Sequence, residues 1–308
     1  MKNTYKLLPH IKENVYGFKS KSAQIIGWEL LKFNIPEIWQ YSTGKNVKVS
    51  IIDTGCDIKH NDIKTNIKKY YNAIDKTKKV NDDNGHGTHV AGTIGAINNS
   101  LGTVGVAPEC DLYIVKSLDA NGSADSNSIS EGILWSVNQK CDIITMSLGS
   151  LIDSKKVKKA IDIANKNNIT IFCAAGNSGN DNEIMYPAKY DNTISVGSVD
   201  QNLCISDFSC LSDELNFLSP GQDILSCAPN NGYALMSGTS MSTPFVVGCA
   251  ALYLSYCRIN NLKEPRNYDD YINFFDTFTI KPSCRPNNKI KCGIVNLPID
   301  KLTNLSSS

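Results

Sequence analysis

Gly238-Thr239-Ser240-Met241-Ser242-Thr243-Pro244 runs directly into an apolar stretch, residues 245–254. The length of that stretch predicts a buried helix, so Ser240 is expected where a loop turns into a helix. We expect Pro244 in the first turn, where a missing N–H costs least. Free backbone donors and the positive end of a helix dipole suit a nucleophile whose attack creates an oxyanion. The alternative is that Ser240 is an ordinary N-cap.

Composition excludes several classes of partner. The chain has 308 residues, of which 41% are hydrophobic and 20% charged, and this fits one large α/β domain or two small ones. The net charge of +1 gives no general bias toward nucleic acid or an anionic membrane. Lysine clusters at 76–79 and 155–159 lack interleaved aromatic residues and are typical of solvated faces. We therefore expect neither nucleic acid nor a membrane as a partner.

The compartment is predicted from apolar runs and cysteines. We expect no apolar run as long as a membrane span, and residues 1–20 lack the uninterrupted apolar core of a signal peptide. The 11 cysteines are odd in number and show no metal-like CxxC pairs; several, such as Cys173 and Cys249, lie in apolar runs. Free buried thiols in a reducing compartment explain this pattern. The sequence predicts a cytoplasmic protein.

Apolar periodicity predicts the order of elements. Strands are expected at 47–52, 112–116, 142–146 and 169–175, with a late strand-like stretch at 292–296. Helices are expected at 28–40, broken near Pro36, at 128–138 and at 156–165. Strands that alternate with helices predict an α/β fold with a mostly parallel, doubly wound sheet and helices on both faces.

Polar residues beside glycines follow or open several of these elements. Asp53 ends the strand before Thr54-Gly55, and Asn177 follows the strand at 169–175; each could be a turn former. His86 opens a stretch of small residues, 84–93. His86 and His89 could suggest a metal pair, but no third ligand recurs at zinc spacing. With Ser240 these side chains supply an orienting carboxylate, a general base, a nucleophile and an oxyanion donor.

Four motifs carry a family resemblance. They are Ile51-Ile52-Asp53-Thr54-Gly55, Gly85-His86-Gly87-Thr88-His89-Val90-Ala91-Gly92, Ala174-Ala175-Gly176-Asn177 and Gly238-Thr239-Ser240-Met241. They resemble the signature blocks of the subtilisin family, and the order Asp, His, Ser is that family's order. The resemblance extends from about residue 27 to 300. It implies an N-terminal extension at 1–25, a subtilisin-like catalytic domain at 26–300 and a C-terminal tail at 301–308.

The resemblance also implies roles for these residues. Ser240 would attack the peptide carbonyl, His86 would take and return the proton, and Asp53 would hold the imidazole tautomer. The Asn177 amide and the Ser240 N–H would stabilise the oxyanion. An extended peptide would be clamped, and its P1 side chain held, by Gly122, Ser123, Ala124, Ser147, Leu148, Gly149, Gly176 and Met185.

A structural Ca²⁺ site is implied by the same resemblance. Its ligands would be Asp62, the Asn99 side chain and the carbonyls of Ile97, Leu101 and Thr103. Ligands that are all oxygens suit this ion. Ala23 or Gln24 falls where the family places an amino-terminal amide ligand.

The short extension and Cys56 resemble the intracellular subtilisins. Leu7-Leu8-Pro9-His10 loosely matches a Leu-Ile-Pro-aromatic segment that lies across the active site in those proteins, with His10 in place of the aromatic residue. We therefore expect an inhibitory extension; the alternative is a flexible tail. The same resemblance implies a possible homodimer.

Three functions remain open from the sequence. The first is an intracellular, calcium-dependent serine endopeptidase that acts on protein or peptide substrates. The second is a cytoplasmic leader peptidase that trims one precursor, such as a lantibiotic. The third is a peptide-binding scaffold without turnover, against which the complete set of Asp53, His86 and Ser240 argues.

Overall fold

The computed structural model describes residues 4–14, 23–284 and 289–297. Its strands are β1 (Thr4–Leu7), β2 (Ile11–Asn14), β3 (Lys48–Asp53), β4 (Ile67–Asn72), β5 (Asp111–Lys116), β6 (Ser123–Asp125), β7 (Ile143–Met146), β8 (Leu148–Gly149), β9 (Thr170–Ala174), β10 (Ile194–Val199), β11 (Phe217–Pro220), β12 (Ile224–Ala228) and β13 (Gly232–Ser237). Its helices are α1 (Trp28–Lys32), α2 (Ile35–Ile38), α3 (His86–Gly95), α4 (Ser126–Asn138), α5 (Lys155–Lys166), α6 (Thr239–Ile259) and α7 (Tyr268–Asp276). The expected tail at 301–308 lies outside the described residues.

A parallel sheet forms the centre of the fold. Its seven strands have the order β11-β10-β9-β7-β3-β5-β4, and each neighbouring pair is parallel. On β5, Leu112 packs against Gly95 of α3 and Val115 packs against Gly132 of α4. Residues three apart on a strand point to opposite faces, so helices cover both sides of the sheet. The predicted α/β fold class is confirmed.

The predicted elements agree with the structure apart from three regions. The helix expected at 28–40 is two short helices, separated at Asn34 (φ 52°). The break precedes Pro36 because a proline is tolerated in the first turn of a helix, here α2. The stretch at 292–296 is not a strand; Ile294 makes only isolated bridges. The segment after residue 260 contains a helix that the sequence pattern does not predict, α7, whose Tyr271 and Phe275 are buried.

Pro244 lies deeper in its helix than predicted. Because α6 begins at Thr239, Pro244 is beyond the first turn and removes one backbone donor from the helix interior. The carbonyl four residues earlier, that of Ser240, accepts a hydrogen bond from Ser147 Oγ at 3.1 Å. A side chain that follows β7 thus satisfies a group that the proline leaves free.

The helix α6 is long and apolar. Over Thr239–Ile259 its length and composition would allow it to cross a membrane. It is the one such helix in the part of the chain that the structure describes, and 94% of the stretch is buried inside the protein. The helix is therefore part of the hydrophobic core.

The expectation of free thiols is wrong for two cysteines. Cys204 and Cys284 form a disulfide with a Cα–Cα distance of 4.7 Å. They lie 80 residues apart, and the parallel bridge that brings their backbones together could not be read from cysteine spacing. The other nine cysteines are free, and eight of them are buried.

The N-terminal extension adds strands to two smaller sheets. β1 lies between β6 and β8, antiparallel to both. β2 pairs antiparallel with β13, which ends just before Ser240. The sequence pattern predicts no strand here. A short strand gains its stability from the partners that it joins, and those partners lie far away in the chain.

Candidate active site

Asp53 and His86 form a buried pair at the carboxyl edge of the sheet. Asp53 is the last residue of β3 and His86 the first of α3, and both side chains are buried. His86 Nδ1 lies 2.8 Å from Asp53 Oδ1. Because a carboxylate accepts, Nδ1 carries the proton and Nε2 keeps its lone pair. This is the tautomer that a general base at Nε2 requires.

Glycine allows this close approach. A Cβ on Gly87 would lie 2.2 Å from the carbonyl oxygen of Gly55 and 3.2 Å from the side chain of Asp53. Any larger residue would push α3 away from the loop that follows β3. The Gly-His-Gly pattern is therefore required by packing as well as by chemistry.

Ser240 lies in the first turn of α6 and makes no hydrogen bond to the imidazole. Its Oγ donates to the Ser147 carbonyl at 3.4 Å. His86 Nε2 is buried and has no hydrogen-bond partner among the described residues. The serine hydroxyl is thus not hydrogen-bonded to the base in this arrangement.

Asn177 is fixed with its amide nitrogen pointing into the cleft. Its Oδ1 accepts from the Thr239 backbone N–H at 2.9 Å and from Thr239 Oγ1 at 2.7 Å. Its Nδ2 donates to the Pro9 carbonyl at 2.7 Å. The Asn177 amide, which is held by Thr239 at the start of α6, therefore donates to a carbonyl oxygen of the extension.

The predicted substrate-binding segments surround this extension. β1 pairs with Ser123, Ala124 and Asp125 on one side and with Leu148 and Gly149 on the other. The Leu7 N–H donates to the Gly122 carbonyl at 2.8 Å, which continues the first pairing.

A pocket beside Gly149 holds Leu8. The Cβ position of Gly149 lies 2.7 Å from Leu8 Cδ2 and 2.9 Å from Met185 Sδ, so these two side chains meet there. Met185 also lies 3.4 Å from the Cβ position of Gly176, whose φ is +129°. Leu8 is 2% exposed. The predicted P1-binding residues therefore do meet around one side chain.

Sequence reasoning missed Asp82, which joins the two elements that carry Asp53 and His86. Its carboxylate accepts five hydrogen bonds at 2.6–3.2 Å. One comes from the Thr54 hydroxyl, beside Asp53; the others come from the turn before His86 and from Thr88 in the first turn of α3. The signal available was an aspartate four residues before His86, ahead of a helix whose N-cap residue, Gly85, has no side chain to cap it.

The charge of Asp82 is retained despite burial. Burial by itself would raise the pKa of the carboxyl, but the hydrogen bonds from Thr88, Gly85 and Thr54 outweigh it and hold the pKa below its usual value. Lys116 binds the same loop, because its Nζ donates to the Thr54 carbonyl at 2.6 Å. We assign Asp82 a positioning role for the Asp53–His86 pair.

Four of the five residues expected to bind calcium converge on one atom. Gln24 Nε2 lies 2.9 Å from the Ile97 carbonyl, 3.2 Å from that of Leu101, 3.1 Å from that of Thr103 and 3.4 Å from Asn99 Oδ1. Asp62 adjoins the same loop and accepts from the Thr103 N–H at 3.0 Å. An amide nitrogen has two hydrogens, so it cannot satisfy four acceptors at once. Oxygens that converge in this way suit a hard cation.

Two other histidines have structural surroundings. His89 Nε2 lies 3.0 Å from the Ile224 carbonyl and 3.2 Å from that of Ala234, and burial lowers the pKa of His89 to about 3. It is therefore a neutral core residue that does not share a site with His86. His60, Asp62 and Cys227 lie close together, but His60 Nδ1 accepts from the Asp62 N–H and Nε2 lies 3.0 Å from the Gly232 carbonyl. Both ring nitrogens of His60 are engaged.

Comparison with known proteins gives consistent similarities. The sequence profile of the subtilase family matches residues 44–271. An intracellular serine protease of Paenibacillus polymyxa is 42% identical over 248 residues, which cover 77% of this chain and 76% of that protein. The major intracellular serine protease of Bacillus subtilis is 46% identical over 231 residues, 72% of each chain. Subtilisin DY of Bacillus licheniformis is 43% identical over 227 residues, 73% of this chain and 82% of that protein.

The positioning role of Asp82 can be tested with Asp82→Asn. The amide cannot accept all five hydrogen bonds, so we expect the free energy of unfolding to fall by about 1–3 kcal/mol. We also expect the low-field proton NMR signal of the His86–Asp53 hydrogen bond to broaden or move, because the two elements are held less firmly. Asp213→Asn is the matched control, since Asp213 is exposed. A low-field signal unchanged in Asp82→Asn would contradict the positioning role.

Proposed function

The chain belongs to the subtilase family of serine proteases, and from that premise we propose that Asp53, His86 and Ser240 are its catalytic triad. The protein is a subtilisin-like serine endopeptidase that acts on protein or peptide substrates. One observation carries the assignment of the triad. The buried His86 donates from Nδ1 to Asp53 at 2.8 Å and leaves Nε2 as a base at the edge of the sheet.

The proposed chemistry follows from these groups. The Ser240 hydroxyl turns from the Ser147 carbonyl to His86 Nε2, and Oγ attacks the peptide carbonyl as its proton passes to Nε2. Asn177 Nδ2 and the Ser240 N–H donate to the oxyanion. His86 then gives the proton to the leaving amine, and water hydrolyses the acyl-enzyme by the same route. Asp53 stabilises the imidazolium that forms in both steps.

Ser240→Ala tests the nucleophile. We expect turnover of casein to fall to the small remainder that binding and the oxyanion donors supply, because the members of a triad act as a unit. Labelling by a fluorophosphonate should disappear with it. The matched control is Ser242→Ala, since Ser242 is a buried serine of the same helix whose hydroxyl has no partner among the described residues. Labelling of the Ser240→Ala protein at its former rate would contradict the assignment.

We also propose that the extension restrains the enzyme by occupying its cleft. β1 takes the place of an added substrate strand between β6 and β8. Leu8 fills the pocket beside Met185, which supports a preference for apolar P1 residues of medium size. Tethering raises the local concentration of such a segment to about the millimolar range, so that even weak binding suffices.

Proline explains how the extension could resist cleavage. The Leu8 carbonyl, which follows the residue in the pocket, lies 3.1 Å from His10 Nδ1 and accepts from it. The oxyanion donor Asn177 instead holds the Pro9 carbonyl. Leu8 fills the P1 pocket, but its carbonyl is therefore not presented to Asn177. Pro9 also supplies no N–H for pairing with the cleft.

A charge in the pocket tests this restraint. Leu8→Asp should raise the initial rate on a peptide substrate and abolish any lag, because a carboxylate is costly to bury without a partner. Ile11→Asp is the matched control, since Ile11 is 62% exposed. Deletion of residues 1–20 should reproduce the effect of Leu8→Asp. Equal initial rates for all four proteins would show that the extension does not restrain the enzyme.

A cytoplasmic location is proposed from the relatives. Two are named intracellular serine proteases, at 42% and 46% identity, although an extracellular protease of Bacillus subtilis, Epr, is also 41% identical. The eight buried free thiols suit a reducing compartment, whereas the Cys204–Cys284 disulfide is of a kind that is rare there.

We propose a structural Ca²⁺ held by Asp62, Asn99 and the carbonyls of Ile97, Leu101 and Thr103. The donor set is made of oxygens, and the Gln24 amide can add its own oxygen by turning over, because its O and N are interchangeable in shape. The bound ion would supply positive charge that holds the loop at 97–103 against the Asp62 carboxylate.

Chelation tests this ion. At a free Ca²⁺ concentration 100 times Kd, binding should add about 2.7 kcal/mol to stability. We therefore expect EDTA to lower Tm in the parent protein and to have little effect on Asp62→Asn. Asp213→Asn, at an exposed position, should respond like the parent. The same fall in Tm on chelation for Asp62→Asn and Asp213→Asn would contradict the site.

A further inference from the structure

The His10 ring of the docked extension packs against the His86 imidazole. The ring centroids of His10 and His86 are 5.0 Å apart, with the planes tilted by 57°. The Cβ of His10 is 3.4 Å from the Cβ position of Gly238, next to the start of α6. His10 is partly buried. The residue therefore sits where the extension passes over Asp53, His86 and the oxyanion donors.

An imidazole at this place can change its charge near neutral pH. Three charged or titratable groups bear on it. They are His86 of α3, Lys12 of β2 and, behind His86, Asp53 of β3. Burial lowers the pKa of His10, and His86 and Lys12 act in the same direction, whereas Asp53 and the bond to the Leu8 carbonyl oppose them.

We propose that His10 and His86 form a pH-sensitive latch, in which the extension stays docked while His10 is neutral and is released when His10 gains a proton. The proposal rests on the proposed restraint and adds its control. A proton on His10 would place a cation in a partly buried position, with its ring centroid 5.0 Å from that of the buried His86, where the charge is solvated less well than in water. Release would remove His10 to solvent and leave His86 paired with Asp53.

The direction of the pH effect follows from linkage. A free extension has a histidine with the ordinary pKa of about 6.5, and docking lowers the pKa of His10 below that value. Docking therefore favours the neutral form. Its stability is fully present above pH ~6.5 and is lost as the pH falls below that point. Between pH 7.5 and 5.5 the opening equilibrium should rise by up to about tenfold.

Hydrogen exchange of residues 4–14 tests the latch without relying on catalysis. The full chain carries Ser240→Ala, so that it cannot cut its own extension, and is compared with the same chain carrying His10→Phe or His10→Gln. Comparison at the same pH cancels the intrinsic dependence of exchange on pH. We expect the β1 and β2 amides of the parent to lose protection by up to about tenfold between pH 7.5 and 5.5. Both His10 variants should lose none of it.

The outcomes separate the latch from the restraint on which it rests. Equal loss of protection in the parent and in a protected His10 variant would overturn the latch and leave the restraint intact. An extension unprotected in the parent at pH 7.5 would overturn both. If neither variant is protected at pH 7.5, the Cε1 proton of His10 is followed by NMR in the Ser240→Ala chain. A His10 that titrates at about pH 6.5 there would overturn the latch, and one that titrates lower supports it.

Discussion

Three neighbouring strands of a parallel sheet must end at the same edge, and the whole site depends on this constraint. β9, β7 and β3 lie side by side. Asp53 is the last residue of β3, Ser147 directly follows β7, and Asn177 lies shortly after β9. A parallel arrangement brings all three carboxyl ends together without any contact between the side chains themselves. α6 then needs only to point its first turn at this edge for Ser240 to join them.

The approach of helices to that edge is tuned by small residues and one buried carboxylate. Gly87 lets α3 touch the loop after β3, and Asp82 ties the two together through hydrogen bonds from both. Pro244 has a similar effect on α6, because the carbonyl that it leaves unpaired is bonded by Ser147. A small residue, a buried carboxylate and a carbonyl freed by proline therefore join separate elements into one site.

On the proposed function, the cleft recognises backbone more than side chains, so that the same edges can hold the extension or a substrate. β6 and β8 offer backbone hydrogen bonds to an extended strand between them. β13, which ends just before Ser240, offers the same kind of pairing to a second strand. Discrimination is left to few features. The pocket beside Met185 holds the apolar side chain of Leu8, and in the proposed restraint the position of a single carbonyl relative to Asn177 separates a docked segment from a cleavable one.

The sequence by itself determined the α/β class and the candidate residues Asp53, His86, Asn177 and Ser240, since apolar periodicity and glycine-flanked polar residues are local signals. It did not reveal β1 and β2, the disulfide between Cys204 and Cys284 or the contacts of Asp82. Each of these depends on partners far away in the chain: a strand needs an edge to join, a cysteine needs a second one brought near, and a buried carboxylate needs donors from two elements. Only the tertiary structure decided them, because the chain must fold before such partners meet.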